Sequence, residues 1–170
     1  DLSVSRAGFQ RYVNSLNLPT RFPGIQAIEY VRRVKQADKP AYQNMVRADR
    51  SVNPAGYPEF SVKTDRVDAD YYVIHYVEPM PGNELVFGLD IRTRDASRIA
   101  AERARDAGQP TATGRYRLAQ EKQKQLGLVV YQPIYETYRQ TRTLEQRRTE
   151  LAGFVNIVFR VDDLFTELVD

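Results

Sequence analysis

The chain has no cysteine, which excludes a disulfide framework, thiolate metal sites and a cysteine nucleophile. Cytoplasm and an oxidising compartment are both compatible with that. No run of about 18 apolar residues occurs, so no segment is expected to span a membrane, and no signal peptide is visible. The sequence holds a single histidine, His75, and no Gly-x-Ser-x-Gly elbow, so nucleophile-triad chemistry lacks a base placed beside a serine. A structural histidine with a satisfied hydrogen bond is expected instead. One histidine and scattered carboxylates make no metal-ligand spacing, and no Gly-rich fingerprint follows a strand to cradle a phosphate. No catalytic residue, metal or cofactor is therefore expected.

What is present suits one ordinary domain or two small subdomains: 170 residues, 42% of them hydrophobic, enough for a core. The net charge is +3, from 25 Lys and Arg against 22 Asp and Glu. A pI near 9.2 looks basic, but Arg92, Arg94, Arg98, Arg103 and Arg105 alternate with Asp90, Asp95, Glu102 and Asp106. Without a continuous basic stripe, nucleic acid is not an expected partner. The chain starts at Asp1 inside a helical stretch and stops at Asp170 in another, which reads as a piece of a longer protein.

Phe9, Val13 and Leu16 recur at helical spacing, and Pro19 is expected to end that helix. After the turn signal Phe22-Pro-Gly24, residues 25 to 34 carry Ile28, Val31 and Val34 around a β-branched and aromatic centre. A strand is read there, with a helix as the rival. Residues 40 to 50 suit a short helix with Pro40 in its first turn. Phe60 to Lys63 reads as a short strand. Tyr71 to Val77 reads as a strand apolar on both faces, returning through a Pro- and Gly-rich turn along Leu85 to Ile91 as an antiparallel hairpin. Asp95 to Gly108 is the clearest helix, its apolar stripe Ala96, Ile99, Ala100, Ala104 and Ala107 small enough to approach a sheet closely, with Gly108 as a left-handed exit. Residues 118 to 124 have no clear type. Gly127 to Tyr135 is a strand in which Pro133 argues for an edge or a bulge. Residues 136 to 150 form a loop leading into a short helix. From 151 to 161 the chain alternates, with Leu151, Gly153, Val155, Ile157, Phe159 and Val161 on one face and Asn156 and Arg160 on the other. A terminal helix begins at Asp162. The fold class is α+β, an antiparallel sheet covered by helices.

Asp90 is the polar residue that stands out. Read as a strand, 85 to 91 puts Asp90 on one face with Val86 and Gly88, and the glycine leaves unfilled space beside the carboxylate. A buried carboxylate needs donors from a helix N-terminus, a side chain or a ligand. The residues leave two readings open: an Asp capping the following turn, or the polar anchor of a pocket. Tyr72 and Tyr76 could line such a pocket, although packing is the plainer role for strand tyrosines. Glu78, Glu84 and Asp90 also lie close along the hairpin, which keeps a carboxylate hydrolase as a third possibility.

The succession Phe22-Pro-Gly-Ile-Gln-Ala-Ile-Glu-Tyr-Val, Tyr76-Val-Glu-Pro with Asn83, and Leu85-Val-Phe-Gly-Leu-Asp-Ile resembles the CHASE domain. So do the Asp-Ala-Ser-Arg helix, Gly127-Leu-Val-Val-Tyr-Gln-Pro-Ile-Tyr, and Leu151-Ala-Gly-Phe-Val with Phe159-Arg-Val-Asp-Asp-Leu. CHASE domains are extracytoplasmic sensor domains of membrane histidine kinases, nucleotide cyclases and diguanylate cyclases. The resemblance implies an N-terminal helix (1–20) and two PAS-like subdomains with antiparallel sheets. The membrane-distal, ligand-binding subdomain would be 21–117 and the membrane-proximal one 118–170. It implies a periplasmic module of an inner-membrane receptor, tethered by flanking segments, homodimeric, binding a small polar molecule, with nitrogen-rich compounds among the candidates, and relaying it to an output domain. Asp90 lies at the motif position that contacts the ligand in the plant cytokinin receptors of this family, and the loop from Pro110 to Thr113 would complete the pocket. Gln109-Pro-Thr-Ala-Thr-Gly-Arg-Tyr departs from the more apolar family segment there, so cytokinin is not the assumed ligand. The expected ligand-binding residues are Asp90, Gly88, Tyr72, Tyr76, Ala112 and Thr113. The alternative function is a ligand-free dimerisation module paired through residues 1–18.

Overall fold

Ser5 starts helix α1 (Arg6–Leu16) by accepting the Gly8 amide on its hydroxyl, and Asn17 ends it in the left-handed region at φ 50°. Such an N-cap is worth about 1 kcal/mol. Pro19 therefore does not end α1. It sits in the first turn of a second short helix, α2 (Leu18–Arg21), where its missing amide leaves no bond unmade. The computed structural model describes residues 4–114, 116–117, 126–136 and 143–160. Within them follow β1 (Ile25–Lys35), α3 (Lys39–Ala48), β2 (Asp70–Glu78), α4 (Asp95–Ala107), β3 (Thr111–Ala112), β4 (Tyr116–Arg117), β5 (Leu126–Tyr135), α5 (Leu144–Thr149) and β6 (Leu151–Arg160). Residues 118 to 124 and the expected helix after Asp162 lie outside the described residues. Among the described residues no helix is long and apolar enough to cross a membrane.

Residues 25 to 35 form a strand, since Ile28, Tyr30, Val31 and Val34 fit a pleated surface better than a helix. The strands join in one antiparallel sheet in the order β2-β1-β6-β5-β3, with β4 sharing the outer side of β5. The sequence reading of two antiparallel sheets thus gives way to one among the described residues. The reason is β1, which pairs along most of its length with β2 on one side and β6 on the other. Strands from both sides of the expected 117/118 boundary meet in it. Pro133 faces β6 at Phe154, while β3 meets β5 only at Val130 and Tyr131, and the β5–β6 register shifts at Ile134/Tyr135. A proline amide is missed nowhere there.

Helices cover both faces. On one, Ala100, Ala101 and Ala104 of α4 pack on Val31, Tyr72, Ile74, Tyr131, Phe154 and Val158. On the other, α3 packs Tyr42 and Val46 on Val34, Tyr71 and Val73, and α1 packs Phe9 and Val13 on Ile28 and Tyr76. The small residues of α4 do let it lie close, but its buried stripe is Ser97, Ala100, Ala101 and Ala104, and Ile99 is exposed. Gly108 ends α4 at φ 68° as its position suggested.

Three further expectations change. Residues 85 to 91 are not a returning strand. Successive turns, such as Leu89 N–H to the Val86 carbonyl at 2.9 Å, replace a ladder, and Gly88 at φ 85° takes a path extended chains do not follow. The segment is tied to β2 only locally, by Gly88 N–H to Ile74 O at 3.0 Å and Ile74 N–H to Leu89 O at 2.9 Å. Residues 60 to 63 likewise make only an isolated bridge, Lys63 to Leu89. In β6 Leu151 and Gly153 of the expected face are buried, but from there on the buried residues are Phe154, Asn156 and Val158, and Val155 and Ile157 are only half-buried. Hydropathy put Asn156 outward, but its neighbour across the sheet is the buried Glu29.

Candidate functional site

Asp90 is fully buried. Its Oδ1 accepts the backbone amides of Tyr72 and Arg92, each at 3.2 Å, and its Oδ2 accepts the Thr64 hydroxyl at 3.1 Å. The carboxylate therefore caps the turn at 91–93 and pins it to β2, the geometry of the plainer of the two sequence readings. The Arg92 side chain runs past it, Nε 3.7 Å from Oδ1, with the guanidinium 4.4 Å from the Tyr72 ring centroid. Arg92 Nη1 pairs with Asp70 at 3.2 Å, and Asp70 also takes Arg33 Nε at 2.5 Å. Alternating charges at the end of β2 thus fix the loop that carries Asp90.

Gly88 does not leave open space. A Cβ there would lie 2.4 Å from the Ser61 carbonyl oxygen and 3.1 Å from the Phe60 ring, so glycine is required for close packing of two chain segments. Tyr72 is buried on the α4 face and receives a hydrogen bond on its hydroxyl from Arg105 at 3.3 Å. Asp90, Gly88 and Tyr72 are thus brought together. Tyr76 is not with them. It lies on the α1 face, its hydroxyl donating to the Val4 carbonyl at 3.1 Å and its ring 5.5 Å from Phe9. Thr113 is buried beside β5, where its hydroxyl accepts the Val129 amide at 3.0 Å, and Ala112 is exposed on β3. Three strands separate β3 from β2. At about 4.8 Å per step that is on the order of 20 Å.

Two polar groups in the core were not anticipated. Glu29 and Asn156 face one another across β1 and β6, both buried, with Asn156 Nδ2 donating to Glu29 Oε2 at 3.1 Å. Burial pushes the Glu29 carboxyl up to about 7, against a smaller opposing effect of the Asn156 hydrogen bond. Asn156 Oδ1 has no hydrogen-bond partner. A glutamate inside the apolar run Ile25 to Val31 was the available signal. The second is Arg6, 4% exposed, which binds Asp49 at 2.8 Å and lies against the rings of Tyr57, Tyr76 and Phe87. His75 behaves as expected of a structural histidine: it is buried, with Nδ1 2.9 Å from the Tyr42 hydroxyl. Burial and then the Arg6 and Arg32 charges hold its pKa down at about 3.

No curated protein matches the chain. A model of the CHASE domain matches residues 2–170, and the chain belongs to that family of extracytoplasmic sensor domains, which serve signalling and not catalysis.

Proposed function

We propose that this CHASE domain is the ligand-sensing part of a bacterial transmembrane receptor. It binds a small polar molecule in a PAS-like pocket and relays occupancy to a cytoplasmic output domain. Family membership over residues 2–170 carries the reading. An antiparallel sheet with helices on both faces supports its PAS-like part.

The pocket is placed at the Asp90 loop. Oδ1 of Asp90 is committed to two backbone amides, but Oδ2 holds only the hydroxyl of Thr64, a half-buried residue. A ligand N–H can replace that hydroxyl at little cost, because one donor is exchanged for another. Tyr72 lies beside the carboxylate, and the Gly88 turn carries it. Binding would bias two arrangements of the loop and of the helices packed beside it. The domain is proposed to work as a homodimer through α1, on which Tyr12 is 63% exposed and Val4 just before it 54%.

A thermal-shift screen over nucleobases, amino acids and organic acids tests this. A true ligand raises stability by RT ln(1 + [L]/Kd), and Asp90→Asn, which keeps an acceptor for the two amides, should abolish most of that shift. A ligand whose stabilisation survives Asp90→Asn binds elsewhere and removes Asp90 from the pocket. Silence across the panel from a robust dimer would favour the ligand-free dimerisation module.

A further inference from the structure

The sheet face that carries α1 and α3 also holds a cleft of about 710 Å³, within the ~300–1,000 Å³ of small-molecule sites. Its floor is aromatic. Tyr30 and Tyr76 have ring centroids 5.6 Å apart, His75 is 4.2 Å from Tyr76, and the Tyr42 hydroxyl is bonded to His75 Nδ1. Arg32, exposed on β1, enters the same cleft with its guanidinium 5.8 Å from the Tyr42 ring centroid. Its neighbour Arg33 is committed to Asp70 and to the carbonyls of Arg148 and Thr149. Arg32 has no ion pair among the described residues, although Asp38 and Glu136 lie in the cleft wall.

We infer that this cleft binds a small organic anion with a planar ring, its carboxylate paired to Arg32 and its ring laid against Tyr30 and Tyr76. A guanidinium left with only a ring beneath it gains two charge-assisted hydrogen bonds from a carboxylate, and tyrosine rings favour offset or edge-on contact with a planar group. Arg32, Arg33 and Lys35 together disfavour a cation. Depressed protonation of His75 adds a neutral imidazole, not a second charge, to the floor. The position also has a consequence: Tyr76 holds the Val4 carbonyl at the start of α1, so an occupant of the cleft bears directly on that helix. The inference rests on the sensory reading for why the chain binds a small molecule, but it requires no role for Asp90.

The experiment titrates benzoate, benzamide and acetate into the ¹⁵N-labelled chain and into its Arg32→Gln and Arg32→Lys variants, followed by amide shifts. Benzoate should give saturable shifts at residues 30–34 and 75–76. Benzamide, without the charge, and acetate, without the ring, should bind about tenfold more weakly, and Arg32→Gln should weaken benzoate about tenfold or more. Arg32→Lys should recover part of it. Arg32 is exposed and has no ion pair among the described residues, so these variants should keep the fold. Benzoate and benzamide binding equally, or no saturable shift at the cleft up to about 10 mM, overturns the inference. Saturable shifts confined to Asp90, Tyr72 and the α4 face also overturn it while leaving the sensory reading intact.

Discussion

Two buried titratable groups on opposite faces of the sheet oppose each other in their effect on stability. The Glu29 carboxyl titrates near 4.5 when unfolded and near 7 when folded. Between those values the native chain holds the extra proton, so stability falls as pH rises through that window, by a few kcal/mol in all. His75 is the reverse: its ordinary value of 6.5 drops to about 3 on folding. The unfolded chain then holds the extra proton, and stability falls as pH drops from 6.5 toward 3. From 4.5 to 6.5 the two slopes nearly cancel, which gives a plateau. Glu29→Gln should remove it. Chemical denaturation of that variant, relative to the unmodified chain, should show a gain that grows between pH 4.5 and 7. His75→Asn, which can keep the bond to Tyr42, should instead leave stability falling across the same interval. A Glu29→Gln difference independent of pH would mean that the carboxyl is not held protonated by its surroundings.

Among the elements, α1 depends most on one side chain. Phe9 and Val13 supply its apolar contact, but Arg6 ties its first turn to Asp49 after α3, to Tyr76 on β2 and to Phe87 in the Asp90 loop. A buried cation with one carboxylate and several ring faces is costly to disturb, because removing it strands its partner and opens the aromatic box. Arg6→Gln should cost roughly 2–4 kcal/mol. Hydrogen exchange should locate the effect, with α1 amides exchanging faster while β1 and β6 amides keep their relative protection. Uniform acceleration across the sheet would mean that Arg6 supports the core as a whole and does not fasten α1. The Asp90 loop and α1 thus share this guanidinium.

For the molecule as a whole, β1 is decisive. It lies between β2 and β6, and Gly153 of β6 is needed there, because a Cβ would fall 1.9 Å from the Val31 carbonyl oxygen. Residues 1–117 alone would keep β1, β2 and α4 but lose β5 and β6, leaving Ala27, Val31, Ala101 and Ala104 without Phe154, Val129 and Val158. That fragment should show little fixed structure by amide shift dispersion. The full chain should unfold with coincident tyrosine fluorescence and far-UV circular dichroism transitions. A folded 1–117 fragment would instead establish an independent subdomain.

Patterns local to the chain were legible in the sequence: the helices around Phe9, after Pro40 and before Gly108, the strands at 25–34, 71–77 and 127–135, and the α+β class. Period, caps and β-branching act between near neighbours, so residue order alone carries them. The CHASE resemblance was legible too, since it depends on order and not on geometry. Tertiary structure alone decided how the strands shared one sheet, because pairing β1 with β6 joins residues more than 100 positions apart. It also decided which face of each strand was buried. Hydropathy sent Asn156 outward, whereas cross-strand pairing with Glu29 drew it in. Asp90 illustrates both halves: its place before a helix marked it as a cap or an anchor. Only the approach of Thr64 and the Tyr72 amide showed which donors hold it now.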